Sequence, residues 1–393
     1  MKILYHHRTQ AKGVEGVHIR GVINALRELG QEVHVAALVK DPSPEHENLK
    51  NSHAQSPGLL SRLLRIFANH APNLVFRLAE LLYNGIAFFR IRKILKTTNI
   101  DLIYERYAYF NFSGVLAAKV YKKPLILEVN IFTGLNDARA LALRSIAETI
   151  EKRVFHASDA IFVISDYLKD KMIQKYGLTG EKIHVHPNAV DPRELEHKPD
   201  IAAPGAEQID PGAVTIGFLG RILPWYKLHE LVTVFASIHS RHPNTQLVFI
   251  GDGSERETLE NELQRLGVLQ SVVFCGSVNH EQALALLEKC DIGVIPSTNL
   301  WGSPMKLFEY MGSGLPVVAP NIGVITAVMN DNVHGRVFEY DNFKAFEQAL
   351  ESLVTDEPLR QRMGSAAKQH ILTHHTWYQV SQHVVQVADT LVC

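Results

Sequence analysis

The chain has 393 residues, 46% hydrophobic and 21% charged, with a formal net charge of −1 at pH 7. That length suits two domains with separate cores, and nothing in that balance suggests a disordered chain. Cys275, Cys290 and Cys393 are the only cysteines; they lack metal-ligand spacing and fit packing in a reducing cytoplasm better than a disulfide framework.

The N-terminal run Met1-Lys2-Ile3-Leu4-Tyr5-His6-His7 reads directly as a strand, so no secretory leader is expected. Short apolar, β-branched runs then alternate with helical patterns throughout, which predicts parallel sheets covered by helices on both faces. In the first half the predicted strands are 3–6, 33–38, 102–104, 124–129, 160–164 and 183–186. In the second half they are 215–219, 246–250, 272–275, 292–295, 316–318 and 335–338.

Gly13-Val14-Glu15-Gly16-Val17-His18 follows strand one and reads as a glycine loop leading into a helix that ends at Leu29-Gly30, with His18 and Arg20 on the first turns. Further on, Arg62, Arg65, Arg77, Arg90, Arg92, Lys93 and Lys96 interleave with apolar residues between Leu59 and Phe89. They contribute to an asymmetry: residues 1–196 hold 27 Lys+Arg against 20 Asp+Glu, leaving 13 against 21. Such a stretch suits either an anionic membrane surface or a pair of core-facing helices with a solvated basic face. No nucleic-acid motif accompanies it. Glu105-Arg106-Tyr107 and Glu128-Val129-Asn130 each end a strand, which places Glu105, Arg106 and Asn130 at a sheet's carboxyl edge.

From Pro187 to about Gly212 the chain is rich in proline and polar residues and reads as a linker. The expected organisation is an N-terminal domain 1–190, a linker 191–212, a second domain 213–376 and a final helix 377–393. Two doubly wound domains of this kind bind ligands at the carboxyl ends of their strands, in a cleft.

In the second domain, Gly217-Phe218-Leu219-Gly220-Arg221 followed by Lys227 brings two cations to a strand end, suited to a diphosphate leaving group. Gly251-Asp252-Gly253-Ser254 and Gly276-Ser277-Val278-Asn279 are strand-to-helix turns that let backbone approach a ligand. Ser303-Pro304-Met305-Lys306-Leu307-Phe308-Glu309-Tyr310-Met311-Gly312-Ser313-Gly314-Leu315-Pro316-Val317-Val318-Ala319 reads as a helix opening on a polar turn and running through a glycine corner into a buried strand. Its first turn, near Ser303, Pro304 and Met305, offers N–H groups and the positive dipole end to a phosphate. Glu309 lies among apolar neighbours, where a carboxylate is costly without a partner such as a sugar hydroxyl pair.

This last stretch resembles the signature of nucleotide-sugar glycosyltransferases of the GT-B fold, the retaining enzymes of glycosyltransferase family 4. The resemblance implies two Rossmann-like domains facing a cleft, with the last helix crossing back onto the first domain. It implies that Glu309 holds the ribose hydroxyls, that the Ser277-Val278 backbone meets the base, and that Gly16 is the close-approach glycine of a loop over the donor phosphates. Arg221 and Lys227 match the family's diphosphate pair, although Leu228 stands where a glycine usually follows. Asn130 is placed near the donor sugar or reacting centre, while His18, Arg20, Glu105 and Arg106 are placed toward the acceptor. The family usually carries another glutamate eight positions before Glu309; here that position is Trp301, and Lys306 is expected to face the diphosphate or sugar instead.

The implied activity is retaining transfer of a sugar from a nucleoside diphosphate to a glycan or lipid-linked acceptor of surface polysaccharide assembly. No metal or other cofactor is expected, since the chain lacks an Asp-x-Asp, a Walker loop and a Gly-x-Ser-x-Gly elbow, and its histidines read as scattered. The expected location is cytoplasmic, with a peripheral position at the inner face of the membrane if the basic stretch docks. A sugar-nucleotide epimerase of the same fold and a non-catalytic nucleotide-binding homologue are the alternatives.

Overall fold

A computed structural model of the chain describes residues 1–9, 13–37, 73–135, 142–196 and 201–392. These divide into one compact unit of residues 1–186 with 380–393, and a second of residues 187–379.

The first unit is a six-stranded parallel sheet in the order β2-β1-β3-β4-β5-β6. Its strands are β1 Lys2–His7, β2 Glu32–Ala37, β3 Leu102–Arg106, β4 Leu125–Val129, β5 Ala160–Val163 and β6 Ile183–Val185. Its helices are α1 Gly13–Glu28, α2 Asn73–Thr97, α3 Ser113–Tyr121, α4 Arg144–Ala157 and α5 Asp166–Tyr176. Every residue of β4 and of β5 is buried. A parallel strand covered by helices on both faces has no solvent side, so its sequence is near-continuously apolar rather than alternating, and Glu128 is the exception in β4.

The second unit holds β7 Val214–Leu219, β8 Thr245–Ile250, β9 Val272–Gly276, β10 Ile292–Val294, β11 Val317–Pro320 and β12 Gly335–Phe338, again all parallel, in the order β12-β11-β10-β7-β8-β9. Its helices are α6 Leu228–Arg241, α7 Arg256–Arg265, α8 His280–Leu287, α9 Met305–Gly312, the single turn α10 Gly323–Thr326, α11 Phe343–Val354 and α12 Glu357–His374; α13 Trp377–Val392 closes the chain. From Val380 onward α13 belongs to the first unit, where Ser381 Oγ donates to the Val22 carbonyl of α1 at 3.4 Å. The segment read as a linker contributes Ala203 and Ile209 to the second unit's core.

Strand order reverses between β1 and β3 in the first sheet and between β7 and β10 in the second. Such switch points leave a crevice beyond the strands' carboxyl ends, because the flanking crossovers depart to opposite faces. The polar strand ends read from the sequence, His6-His7, Glu105-Arg106 and Gly220-Arg221, all fall at these two places.

One sequence expectation changes here. Residues 13–18 are not a loop preceding a helix: α1 starts at Gly13, and Gly16 sits in its first turn, buried. The buried run Val17, Ile19, Val22, Ile23 and Leu26 packs the helix onto the sheet from that first turn, which outweighs the glycines' preference for a turn. Of the basic stretch, Arg62 and Arg65 lie outside the described residues. The rest lies on α2, where Arg77 turns inward to Glu80 at 2.8 Å, and Glu80 also accepts from Arg8 at 2.6 Å.

Candidate functional site

In the second unit the site is built around α9. Pro304 is its N-cap residue and Met305 begins the helix, which therefore starts later than the sequence reading of Ser303 and Pro304 in the first turn. Ser303 is tied down: its hydroxyl accepts from the Asn188 N–H at 2.8 Å, and its carbonyl accepts from the Asn188 side chain at 2.6 Å. In the middle of α9, the Tyr310 hydroxyl accepts from the Leu219 N–H at 2.6 Å and donates to the Val294 carbonyl at 3.3 Å. One phenol therefore ties the helix to the ends of β7 and β10, the two strands of the switch point. Gly293 makes room for that ring, since a Cβ there would stand 2.5 Å from it.

Lys306 follows directly from this placement. It is 7% exposed, and its amine lies 4.1 Å from the Phe218 ring centroid and 3.9 Å from that of Tyr226, with no hydrogen-bond partner. Burial pushes it down to about 7, against a smaller opposing pull from Glu309. The amine also lies against Gly220, where a Cβ would come within 2.9 Å of it. Gly220 adopts φ +137°, a conformation and a closeness that glycine alone tolerates easily. An enclosed amine without a hydrogen-bond partner is costly to the fold.

Glu309 is 8% exposed and lies 3.3 Å from His280 Nδ1 of α8. Arg221 is exposed at the end of β7. Lys227 is not gathered with these groups in this structure: its amine is held by Asp341, over the rings of Tyr340 and Phe343, and that hydrogen bond raises its pKa. Ser277 and Val278 form the turn between β9 and α8, which starts with a capping box of Asn279 and Gln282. Trp301 donates its backbone N–H to Asn299 Oδ1 at 3.2 Å. The glycines of the β8 turn are architectural: Cβ atoms at Gly251 and Gly253 would meet the carbonyls of Gly220 and Ile222 at 2.1 Å.

In the first unit the centre is Glu128, 3% exposed. Its Oε1 lies 3.0 Å from His18 Nε2, accepts from Asn130 Nδ2 at 2.6 Å and is gripped by Arg106; its Oε2 accepts from Tyr104 at 2.9 Å. Burial alone would raise this carboxyl, but His18, Arg106 and Asn130 together hold it well below the usual range. With its amide nitrogen committed to Glu128, Asn130 presents a buried Oδ1 that has no partner. That is an acceptor ready for a hydroxyl donor. His18 is thus buried in the network rather than solvated, and Arg20 is half-buried.

Glu105 departs from its expected role as part of an acceptor wall. It is fully buried, accepting from Asn111 and the Gly114 N–H at 3.1 Å each and bonded to His6 at 2.6 Å, so it joins β1, β3 and the start of α3. Gly114 is required there, since a Cβ would lie 2.4 Å from the carboxylate. Nor are all the histidines scattered: the rings of His334, His374 and His375 surround His370 with centroids 4.4–5.3 Å away. Among the described residues no cluster of three or more His, Cys, Asp or Glu has the geometry to hold a metal ion.

Residues 13–194 match the family described as Glycosyltransferase Family 4, and residues 202–370 match the one described as Glycosyl transferases group 1. The chain belongs to this glycosyltransferase family. A curated relative, the uncharacterized glycosyltransferase MJ1607 of Methanocaldococcus jannaschii, is 23% identical over 98% of this chain and 96% of its own length. The GDP-mannose-dependent alpha-(1-6)-phosphatidylinositol monomannoside mannosyltransferase of Mycolicibacterium smegmatis is 25% identical over 59% of this chain and 62% of its own length. Among solved structures, Anabaena HepE in complex with UDP aligns with a TM-score of 0.69 at 18% identity and full coverage of both chains. Sucrose-phosphate synthase of Thermosynechococcus elongatus aligns at 0.70 and 16% identity, covering 99% and 98%. The fold is GT-B, and the group 1 enzymes use nucleotide-sugar donors. What sequence reasoning missed in this glycosyltransferase is Glu128 as the hub of its cluster, His280 beside Glu309, and the ring pair around Lys306.

Proposed function

We propose that the protein is a retaining, metal-independent glycosyltransferase that moves a hexose-type sugar from a nucleoside diphosphate to a hydroxyl of a glycan or lipid-linked intermediate in surface polysaccharide assembly. The observation that carries this reading is Lys306: a buried amine without a hydrogen-bond partner, one turn before a buried carboxylate, on a helix that Tyr310 ties to the two strands of a sheet's switch point. In this reading the second unit holds the donor and the first receives the acceptor. Glu309 accepts from the ribose hydroxyls, the backbone of Ser277 and Val278 meets the base, and Arg221, Lys306 and the start of α9 at Ser303, Pro304 and Met305 take the diphosphate charge. Lys227 joins them if it leaves Asp341. On the first unit Asn130 Oδ1 accepts a sugar hydroxyl, while Arg106 and His18 hold Glu128 and so orient that amide.

The bond from the anomeric carbon to the diphosphate oxygen breaks as the acceptor oxygen bonds to the same face. The acceptor's proton passes to the departing diphosphate, so no side-chain base is needed. The cations and helix N-terminus stabilise the charge that grows on the leaving group.

Calorimetry and turnover with a panel of nucleoside diphosphate sugars test this. Glu309→Ala should weaken nucleoside diphosphate binding by about 1.5–3 kcal/mol, the range for hydrogen bonds to a charged group, and chelator should leave transfer unchanged. Unchanged binding in that variant, or activity lost in chelator and restored by magnesium or manganese, contradicts it. Turnover of the donor without an acceptor, giving an epimerised nucleotide sugar, would favour the epimerase.

A further inference from the structure

Glu309 does not stand alone in the fold. His280, the first residue of α8, has one imidazole nitrogen on each of two carboxylates: Nδ1 lies 3.3 Å from Glu309 Oε1, and Nε2 lies 3.2 Å from Glu194 Oε2. Glu194 comes from the 3-10 turn Pro192–Leu195, Glu309 from α9, and His280 from the capped start of α8, so three separate elements meet at one ring. Lys306, the other charged group one turn away on α9, faces Phe218 and Tyr226. A ring flanked by two carboxylates donates to both only as an imidazolium; the neutral form has a single N–H and must release one of them.

We propose that His280 is a positioning residue for nucleotide binding, bridging Glu194 and Glu309 so that the Glu309 carboxylate is fixed in place to receive the ribose hydroxyls. This rests on the ribose reading of Glu309 and adds to it the group that orients that carboxylate. The hydrogen bonds to Glu194 and Glu309 outweigh the effect of burial and raise His280 to about 9, so the bridge is intact at neutral pH and loses one arm above that value.

The test is calorimetric affinity of the full-length protein for uridine, guanosine and adenosine diphosphates between pH 7.5 and 10, for wild type, His280→Gln, Glu194→Gln, Glu309→Gln and the His280→Gln/Glu309→Gln double variant. His280→Gln should bind the preferred nucleotide roughly tenfold more weakly at pH 7.5, the factor that corresponds to about 1.4 kcal/mol. The ratio of wild-type to His280→Gln affinity, in which the ligand's own titration cancels, should fall toward one as pH rises through about 9. Glu194→Gln, which removes one carboxylate from the ring, should move that fall to lower pH, and the double variant should lose less than the two single losses combined. If Glu309→Gln weakens binding while His280→Gln does not, or if the ratio is flat with pH, the positioning role is overturned and the ribose reading stands. If Glu309→Gln leaves binding unchanged, the ribose reading itself fails. Should His280→Gln not fold, the Glu194→Gln profile decides alone: an affinity step at the wild-type pH refutes the bridge, and a step displaced downward supports it.

Discussion

Replacing Lys306 by Met separates what the fold needs from what the chemistry needs. The amine falls from 10.5 to about 7 on burial, which at about 1.4 kcal/mol per pH unit is about 4–5 kcal/mol against the charged form. Two facing rings return about 2 kcal/mol of that for a desolvated cation, leaving about 2–3 kcal/mol that the residue costs the fold. Methionine keeps an unbranched apolar stem between Phe218 and Tyr226 without opening a void. The variant should therefore be more stable, by roughly 4–12 °C in the transition that reports the second unit, while transfer falls by about two orders of magnitude or more. The gain has a pH signature. The unfolded chain binds the proton up to about 10.5 and the folded one only to about 7, so folding releases a proton in between and wild-type stability rises with pH there. The advantage of methionine should be full below about pH 7 and shrink toward pH 10. Calorimetric scans at the two pH values read this directly. A methionine variant that is less stable than wild type, or whose gain ignores pH, would mean that the amine is satisfied within the fold and that the reasoning from burial is wrong.

Arg221→Ala should depress turnover by about 10²–10³ with little change in melting temperature; a comparable loss in Asp341→Ala would show that the ion pair, rather than a charge freed from it, is what Lys227 contributes. The histidine cluster should make the second unit acid-sensitive. Burial and neighbouring histidines push His334 and His375 down to about 4, and His370 is lowered as well, so their stabilising effect is complete above about pH 6.5 and is lost as pH falls toward 4. Melting scans over that range, repeated with His334→Gln, should show a flatter acid limb in the variant; an identical limb contradicts the assignment. The outward face of α2 presents Leu78, Leu82, Ile86 and Phe89 at 47–77% exposure, with Arg90, Lys93 and Lys96 following. If it docks on anionic lipid, co-sedimentation with anionic liposomes should drop on replacing Leu82 and Phe89 by Ser, and added salt should weaken it only in part; equal recovery with neutral liposomes, or none with either, removes membrane contact.

All twelve strands were legible because buried parallel strands are short apolar runs between glycine and polar turns, a local signal. So was the Ser303 to Ala319 segment, where helix, glycine corner and strand follow one another without a break. The partners were not legible. Asp341 lies 114 positions from Lys227, Glu194 and Glu309 stand on opposite sides of His280 in the chain, and the rings around Lys306 come from another strand and turn. Nothing periodic links such residues; only the strand order brings them together. The first turn of α1 was misread for a related reason, since Gly13 and Gly16 carry a turn signal that the packing of Val17 and Ile19 overrides.

The phenol of Tyr310 has one more implication. Because it joins α9 to β7 and β10, the fold's own hydrogen bonds hold the helix carrying Lys306 and Glu309 in register with Gly220. Ordering that would otherwise be charged to association has been completed during folding, so more of the gross contact energy survives as affinity. As the proposed donor pocket, the site would discriminate as a rigid template, and exchanging the sugar it accepts should require side-chain changes around the tether rather than a looser helix.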